Sequence, residues 1–298
     1  MTGFTLSFSG GGCHFTVGNP ATTSQVRISY VNSGGRLHLL AAGGNLQFFR
    51  VSGCPGSGNG DPATIAAEYY LTPAQTVTSH ATTGVRAVPV TAYVVDTAIP
   101  GTVTPIHTAT NRPGPAIKVG GNPDAIAITP GGTTAYIANA NSNTVTPINT
   151  ATNKAGPPIT VGAFPLAMAI TPDGKTVYVA NDNSNTVTPI STATNKPGPA
   201  IKVGKVPDFI AITPGGTKAY VPNGGSGTVT PINTATNTPG PAIKVGVFPA
   251  MIAITPNGGT AYVTDSGSAQ VTPISTATNK PGPTIPAGHD PVEIAITP

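Results

Sequence analysis

The chain has 298 residues, a net charge of +4, only 8% charged side chains, two Cys and no Trp. That length holds one large or two ordinary domains, and no apolar run reaches the ~18 residues that a membrane-crossing helix needs. Gly and Pro number 37 and 33, a share that marks disorder when aperiodic; here they recur in register as turns, and a surface made polar by Thr, Asn and Ser suits an extracellular β protein better than a cytosolic enzyme.

Residues 1–82 share no period with the remainder of the chain. Strand candidates are Phe4–Phe8, His14–Val17, Gln25–Val31, Arg36–Ala41, Asn45–Val51, Thr64–Leu71 and Thr76–Ser79, separated by turns such as Asn32–Gly35 and Cys54–Asp61. Short alternating strands of this kind predict a small β-sandwich or barrel. Cys13 and Cys54, the only cysteines, both fall here. They read as one disulfide of an oxidising compartment, with two free buried thiols as the alternative. No signal peptide precedes the strand-like FTLSFSG, so the expectation is a secreted or cell-surface protein whose upstream part is missing from this chain. Val51-Ser52-Gly53-Cys54, Gly60–Thr64 and Leu71–Thr76 resemble the tail of a β domain in secreted bacterial proteins of unassigned function. That resemblance implies secretion and no chemistry.

The stretch Ser79–Pro89 has linker composition, and residues 83–90 are taken as the linker between the two domains. From residue 91 onward the chain is periodic. Near-identical segments begin at Thr102, Thr144, Thr186, Thr228 and Gln270, 42 residues apart without drift. A fixed period of this size marks a propeller, solenoid or array. The copy from Thr144 holds four strand-like segments, Thr144–Thr150, Ile159–Val161, Leu166–Thr171 and Thr176–Ala180. Its breaks are Asn153–Pro157, Gly162–Pro165, Pro172–Gly174 and Asn181–Asn185. Pro-Asp-Gly is a tight-turn signal, because Pro presets φ and Gly supplies φ > 0. No segment sustains the apolar spacing of a helix, and four strands in about 42 residues is the size of a propeller blade. The prolines Pro105, Pro147, Pro189, Pro231 and Pro273 cannot donate to a ladder, so they belong at a bulge or an unpaired side. Lys118, Lys202 and Lys244 on a short outer strand block edge-to-edge pairing.

Tyr178-Val179-Ala180-Asn181, following the turn Thr171–Gly174, resembles the YVTN (YncE-like) β-propeller repeat. The resemblance extends over Val90–Pro298, with the variants Tyr136–Asn139, Tyr220–Asn223 and Tyr262–Asp265. It implies a propeller at residues 91–298, though family members are usually seven-bladed. Here Thr91–Val95 supplies a Tyr-Val strand with Tyr93 aligned to Tyr136, and the last copy stops at Pro298 before its own. The expectation is therefore a closed five-bladed ring in which Glu293–Thr297 pairs with Thr91–Val95. An arc of a larger ring is the alternative.

Candidate site residues lie in two loop sets. Between Gly and Pro before the AIAIT-type strand stand Asn122 and Phe164, with Asp124, Asp208, Phe248, His289, Asp290 and Glu293 in or beside the corresponding stretches. After the Tyr-Val strand come Asn139, Asn181, Asp182, Asn223 and Asp265. These loops vary while the rest of the repeat hardly does, which both a recognition surface and relaxed constraint produce. Asp124, Asp208, Asp290 and Glu293 leave room for a divalent cation in the channel, although solvated loop carboxylates account for the same residues. No cofactor is implied, and no phosphate loop leads into a helix. Cationic residues are scattered rather than clustered with aromatics, which disfavours nucleic acid. The expected role is a non-enzymatic, monomeric interaction scaffold for a protein or cell-wall carbohydrate partner. The alternative is a metal-dependent, lactonase-like hydrolase or lyase at the propeller mouth.

Overall fold

The computed structural model describes residues 3–6, 14–16, 26–30, 37–41, 78–80 and 91–297. The chain divides into two compact units, Met1–Pro89 and Val90–Pro298. In the first unit Leu37–Ala41 pairs with Gly3–Leu6 and with Val26–Tyr30, and His14–Thr16 pairs with Thr78–His80, all antiparallel. Cys13, Cys54 and the linker positions 83–90 lie outside the described residues.

The second unit is all-β, built from five antiparallel sheets in sequence order. The second sheet sets the pattern. Pro123–Ile128 pairs with Thr134–Asn139, which pairs with Thr144–Asn149. The outer edge of Thr144–Asn149 is covered by Lys154–Ala155 at one end and Ile159–Thr160 at the other. These two pieces form one interrupted fourth strand, and the interruption has a local cause. Pro147 has no N–H to offer the outer strand, so the ladder lapses at Gly156–Pro158, where Gly156 N donates to Pro147 O at 2.7 Å. A Cβ on Gly156 would lie 3.2 Å from Pro147 Cγ, which is why glycine recurs there. The sequence alone marks Asn153–Pro157 as a plain break; its middle is instead a two-residue strand.

The turns behave as their residues dictate. Gly174 has φ 71°, and its N–H donates to Thr171 O at 2.8 Å. Single 3-10 turns occupy Ala140–Ser142, Gly224–Ser226 and Ser266–Ser268. The fourth sheet departs from the pattern: its inner strand shrinks to Ala211–Ile212, with an isolated bridge from Pro207 to Asn223.

The core lies between sheets, because the Tyr-Val strand is apolar on both faces. Val103, Ile117, Ala135, Ile137 and Ile148 join the first two sheets. Tyr136, Val145, Ile159, Val177, Val179 and Ile190 join the second and third. Two more clusters join third to fourth and fourth to fifth. Each interface also has a polar tie. The Tyr93, Tyr136, Tyr178 and Tyr220 hydroxyls donate to Oδ1 of Asn153, Asn195, Asn237 and Asn279, one sheet further on, at 2.6, 2.7, 2.5 and 2.7 Å.

The expected closure is not what the structure shows. Residues 287–297 form no strand. Thr91–Asp96 is paired with Thr102–His107 alone among the described strands, and none of the four core clusters joins the fifth sheet to the first. Among the described residues, core clusters join consecutive sheets only, first to second through fourth to fifth.

Candidate functional site

Both predicted loop sets come to the same end of the sheets. They do so because the Tyr-Val strand ends where the inner strand begins, and backbone bonds tie the two loops of each sheet. Ala140 N donates to Asn122 O at 2.9 Å, Asp182 N to Phe164 O at 3.0 Å, Gly224 N to Val206 O at 2.8 Å and Ser266 N to Phe248 O at 3.0 Å.

Within this end, Asn139, Asn181, Asn223 and Asp265 lie beneath the surface rather than on it. All four are fully buried. Asn139 shows the reason: its Nδ2 donates to Thr144 O, Thr144 Oγ1 and Thr146 Oγ1, and its Oδ1 accepts from Gly120 N at 3.1 Å. The side chain pegs the two loops together. Gly120 approaches so closely that a Cβ there would lie 2.7 Å from Asn139 Cβ. Asn223 repeats the arrangement with Gly204 N at 3.0 Å. Asn181 keeps its donor bonds, but its Oδ1 has no partner. Asp265 has no N–H to give. It accepts from Thr272 Oγ1 at 2.5 Å, and burial pushes its carboxyl above the usual carboxylate range.

The slot before Pro is a different matter. Asn122, Phe164, Val206, Phe248 and Asp290 all have left-handed backbone, with φ 49, 57, 57, 49 and 52°. Asn and Asp tolerate this region; a bulky or β-branched residue there is a genuine outlier. Phe164 is half-buried, Val206 is 38% exposed and Phe248 59% exposed. Their placement is fixed in part from the preceding sheet: Asn143 Oδ1 accepts from Phe164 N at 2.9 Å and Asn185 Oδ1 from Val206 N at 3.0 Å. The sequence marks Phe164 and Phe248 as variable positions. The strain at Val206 is legible only once the backbone is known.

Among the carboxylates, Asp182 and Asp208 sense each other across adjacent sheets. Asp208 is pushed up to about 6, first by burial and then by the Asp182 charge, and burial raises Asp182 as well. One Asp182 oxygen, Oδ1, is buried without a hydrogen-bond partner. Gly224 makes room for the pair, since a Cβ there would meet Asp208 Oδ2 at 2.8 Å. Asp124, His289, Asp290 and Glu293 are exposed. No group of three or more His, Cys, Asp or Glu gathers as a metal site among the described residues. At the opposite end, an open groove of about 740 Å³ runs between the third and fourth sheets, lined by Pro172, Asp173, Lys175, Thr217 and Thr234 among others. Nothing in the sequence points to a site there.

Solved structures place the architecture. Hydrazine synthase of Kuenenia stuttgartiensis is similar at TM-score 0.53 and 29% identity, over 56% of this chain and 49% of that one. A functionally unknown protein from Desulfotomaculum acetoxidans matches at TM-score 0.52 and 19% identity, over 64% and 67%. Dihydro-heme d1 dehydrogenase NirN in complex with DHE matches at TM-score 0.56 and 14% identity, over 65% and 43%. The fold is that of β-propeller proteins. The chain spans about half the length of the hydrazine synthase chain it matches. As many as 1355 chains of solved structures resemble it, so the likeness marks a common architecture and no single activity. No family model matches the sequence, and no curated protein does.

Proposed function

We propose that this chain is a non-catalytic β-propeller scaffold of the YVTN repeat type, secreted or held at the cell surface, which binds a protein or cell-wall carbohydrate partner with one end of its sheets. The observation that carries this reading is the row Phe164, Val206 and Phe248. Each sits in left-handed backbone at one tip per sheet, where the second sheet uses Asn122. Such strain costs on the order of 1–3 kcal/mol per residue and collects at recognition and active sites. Apolar side chains held out on rigid strands lose little entropy when a partner covers them. The buried Asn pegs beneath keep the loops fixed.

The test is a triple substitution, Phe164→Asn, Val206→Asn and Phe248→Asn, in the full chain. Asn relieves the strain, so the melting temperature should hold or rise while binding to purified cell-wall sacculi, or to an immobilised secreted-protein fraction, drops at least tenfold. Binding undiminished in a well-folded triple variant refutes this assignment of the surface.

A second reading, a metal-dependent hydrolase or lyase, rests on Asp182 and Asp208 with the unpartnered Asp182 oxygen. A cation that binds only the folded state raises the melting temperature with its concentration. Titration with calcium, magnesium and manganese should then stabilise the wild type and leave Asp208→Asn unmoved; no shift with any of the three removes the reading.

A further inference from the structure

In the second to fifth sheets, one row of paired residues crosses the sheet near its Pro-x-Gly turn and carries a single lysine. In the second sheet Thr134 pairs with Asn149, and Asn149 with Lys154. In the third sheet the row is Thr176, Ser191 and Lys196; in the fifth it is Thr260, Ser275 and Lys280. In these three the lysine stands on the outer strand and is exposed. The fourth sheet reverses the order, with Lys218, Asn233 and Thr238. The charge has moved inward to the Tyr-Val strand, where Lys218 is half-buried, and the outer position has shrunk to a threonine.

A cavity of about 190 Å³ borders this row and the fifth sheet, lined by Lys218, Asn233, Thr238, Asn279, Pro231 and Pro239 among others. Lys218 Nζ donates to Thr276 O at 2.5 Å and to Asn279 Oδ1 at 3.3 Å. An ammonium has three N–H groups, so one is left over. The lining holds no Asp or Glu, and among the described residues the one ion pair is Asp173–Lys175, in the third sheet. A cation drawn partly out of water without a counter-charge calls for an anion. The neighbouring amides are turned to suit one. Asn279 Oδ1 is taken by Tyr220 and Lys218, and Asn233 Oδ1 by Ala235 N and Thr236 N. That leaves both Nδ2 groups, neither of which has an acceptor among the described residues.

We propose that this cavity binds the carboxylate of an acidic sugar. One ammonium N–H and two amide nitrogens match a single negative charge. A phosphate dianion calls for an arginine fork or a nest of backbone N–H groups, and here Gly240 N is already given to Pro231 O while the two prolines have none. The volume exceeds the ~150 Å³ that accommodates a benzene ring, so a six-membered ring fits, and Pro231 and Pro239 supply apolar surface for its C–H face. Lys218 begins the strand that ends at Asn223, so the site lies at the other end of the sheets from Phe164, Val206 and Phe248 and does not depend on them.

Titration calorimetry of the full chain with D-glucuronate tests this. The wild type should bind it saturably, more weakly as salt is added, and the side-chain amide NMR signals of Asn233 and Asn279 should move. D-glucose and inorganic phosphate should each bind about tenfold more weakly or not at all, and Lys218→Thr should cost about tenfold in glucuronate affinity, as loss of a charged hydrogen bond does. The double variant Lys218→Thr/Thr238→Lys keeps the net charge and reproduces the row of the second sheet, so it should melt as a folded protein and still lose binding. The triple variant at Phe164, Val206 and Phe248 should bind glucuronate like the wild type, which separates this site from the surface proposed above. The proposal is overturned if the wild type does not bind glucuronate, if glucose or phosphate binds as tightly, if the charge-preserving double variant binds undiminished, or if the triple variant loses binding.

Discussion

Asp265 is the residue at which the repeat breaks its own rule. Asn139, Asn181 and Asn223 donate from Nδ2 into the following strand; an ionised carboxylate in the same buried place cannot. Asp265→Asn should therefore stabilise the unit by about 1 kcal/mol, measured by urea denaturation at pH 7.5. The gain should shrink as the pH falls, because burial raises this carboxyl and once protonated it can donate. Asp208 makes the related case with a value attached. Its folded pKa is raised to about 6, so the folded state holds the proton more tightly than the unfolded chain. That stabilisation is whole below about pH 4, the unfolded carboxyl range, and is lost as the pH rises through about 6. Asp208→Asn should accordingly raise stability at pH 8 relative to the wild type, by on the order of 1 kcal/mol once solvent screening of this part-exposed group is allowed for. At pH 4 the two proteins should unfold alike. Equal effects at both pH values would mean that the carboxyl is not titrating between them.

The Tyr-Val strand is the element that converts repeats into a stack. Its apolar residues point alternately to the sheets on either side, and its tyrosine reaches past the neighbouring strand to the asparagine of the next sheet. Removing one hydroxyl from a satisfied buried pair costs about 1 kcal/mol or somewhat more. Tyr178→Phe should thus lower stability by that amount, through the loss of its bonds to Asn237 Oδ1 and Thr234 O. Tyr262→Phe, whose hydroxyl reaches no asparagine among the described residues, should cost almost nothing. A similar loss in both variants would show that the stability comes from the ring's polarity rather than from the tie. Proline has the opposite role within the sheet: it interrupts the outer strand at a fixed place, and glycine suits the gap because a Cβ there would press on the proline ring at 3.2 Å, as at Gly156.

Among the described residues each sheet packs on its sequence neighbours, so stability is close to a sum of internal terms and nearest-neighbour terms. Among the described residues the third sheet has a core cluster on both faces, the first and fifth on one each. Native-state hydrogen exchange on the monomer should find the slowest amides in Thr176–Asn181 and Thr186–Ser191, with protection falling toward Thr91–Asp96 and Gln270–Ser275. A closed ring would instead open as one unit, with even protection around all five sheets.

What the sequence determined alone was the period, and with it most of the fold. Turns at Gly174 and its equivalents, the apolar Tyr-Val strand and the alternating Thr-Val-Thr-Pro-Ile strand are local chemistry, and local chemistry repeated five times is legible without coordinates. The outer strand Lys154–Ala155 is not, because two residues are too few to carry a pattern. The candidate loops are legible as variable positions, but their roles are not. Asn139, Asn181 and Asn223 have the composition of a polar recognition surface and are in fact buried pegs, since burial depends on which strand ends lie together in space. Val206 and Phe248 look like ordinary apolar residues until the backbone places them at positive φ. Pairing of the two ends is likewise beyond the sequence: complementary segments state what could pair, whereas whether a ladder forms depends on where the intervening sheets carry them, and residues 287–297 form no strand.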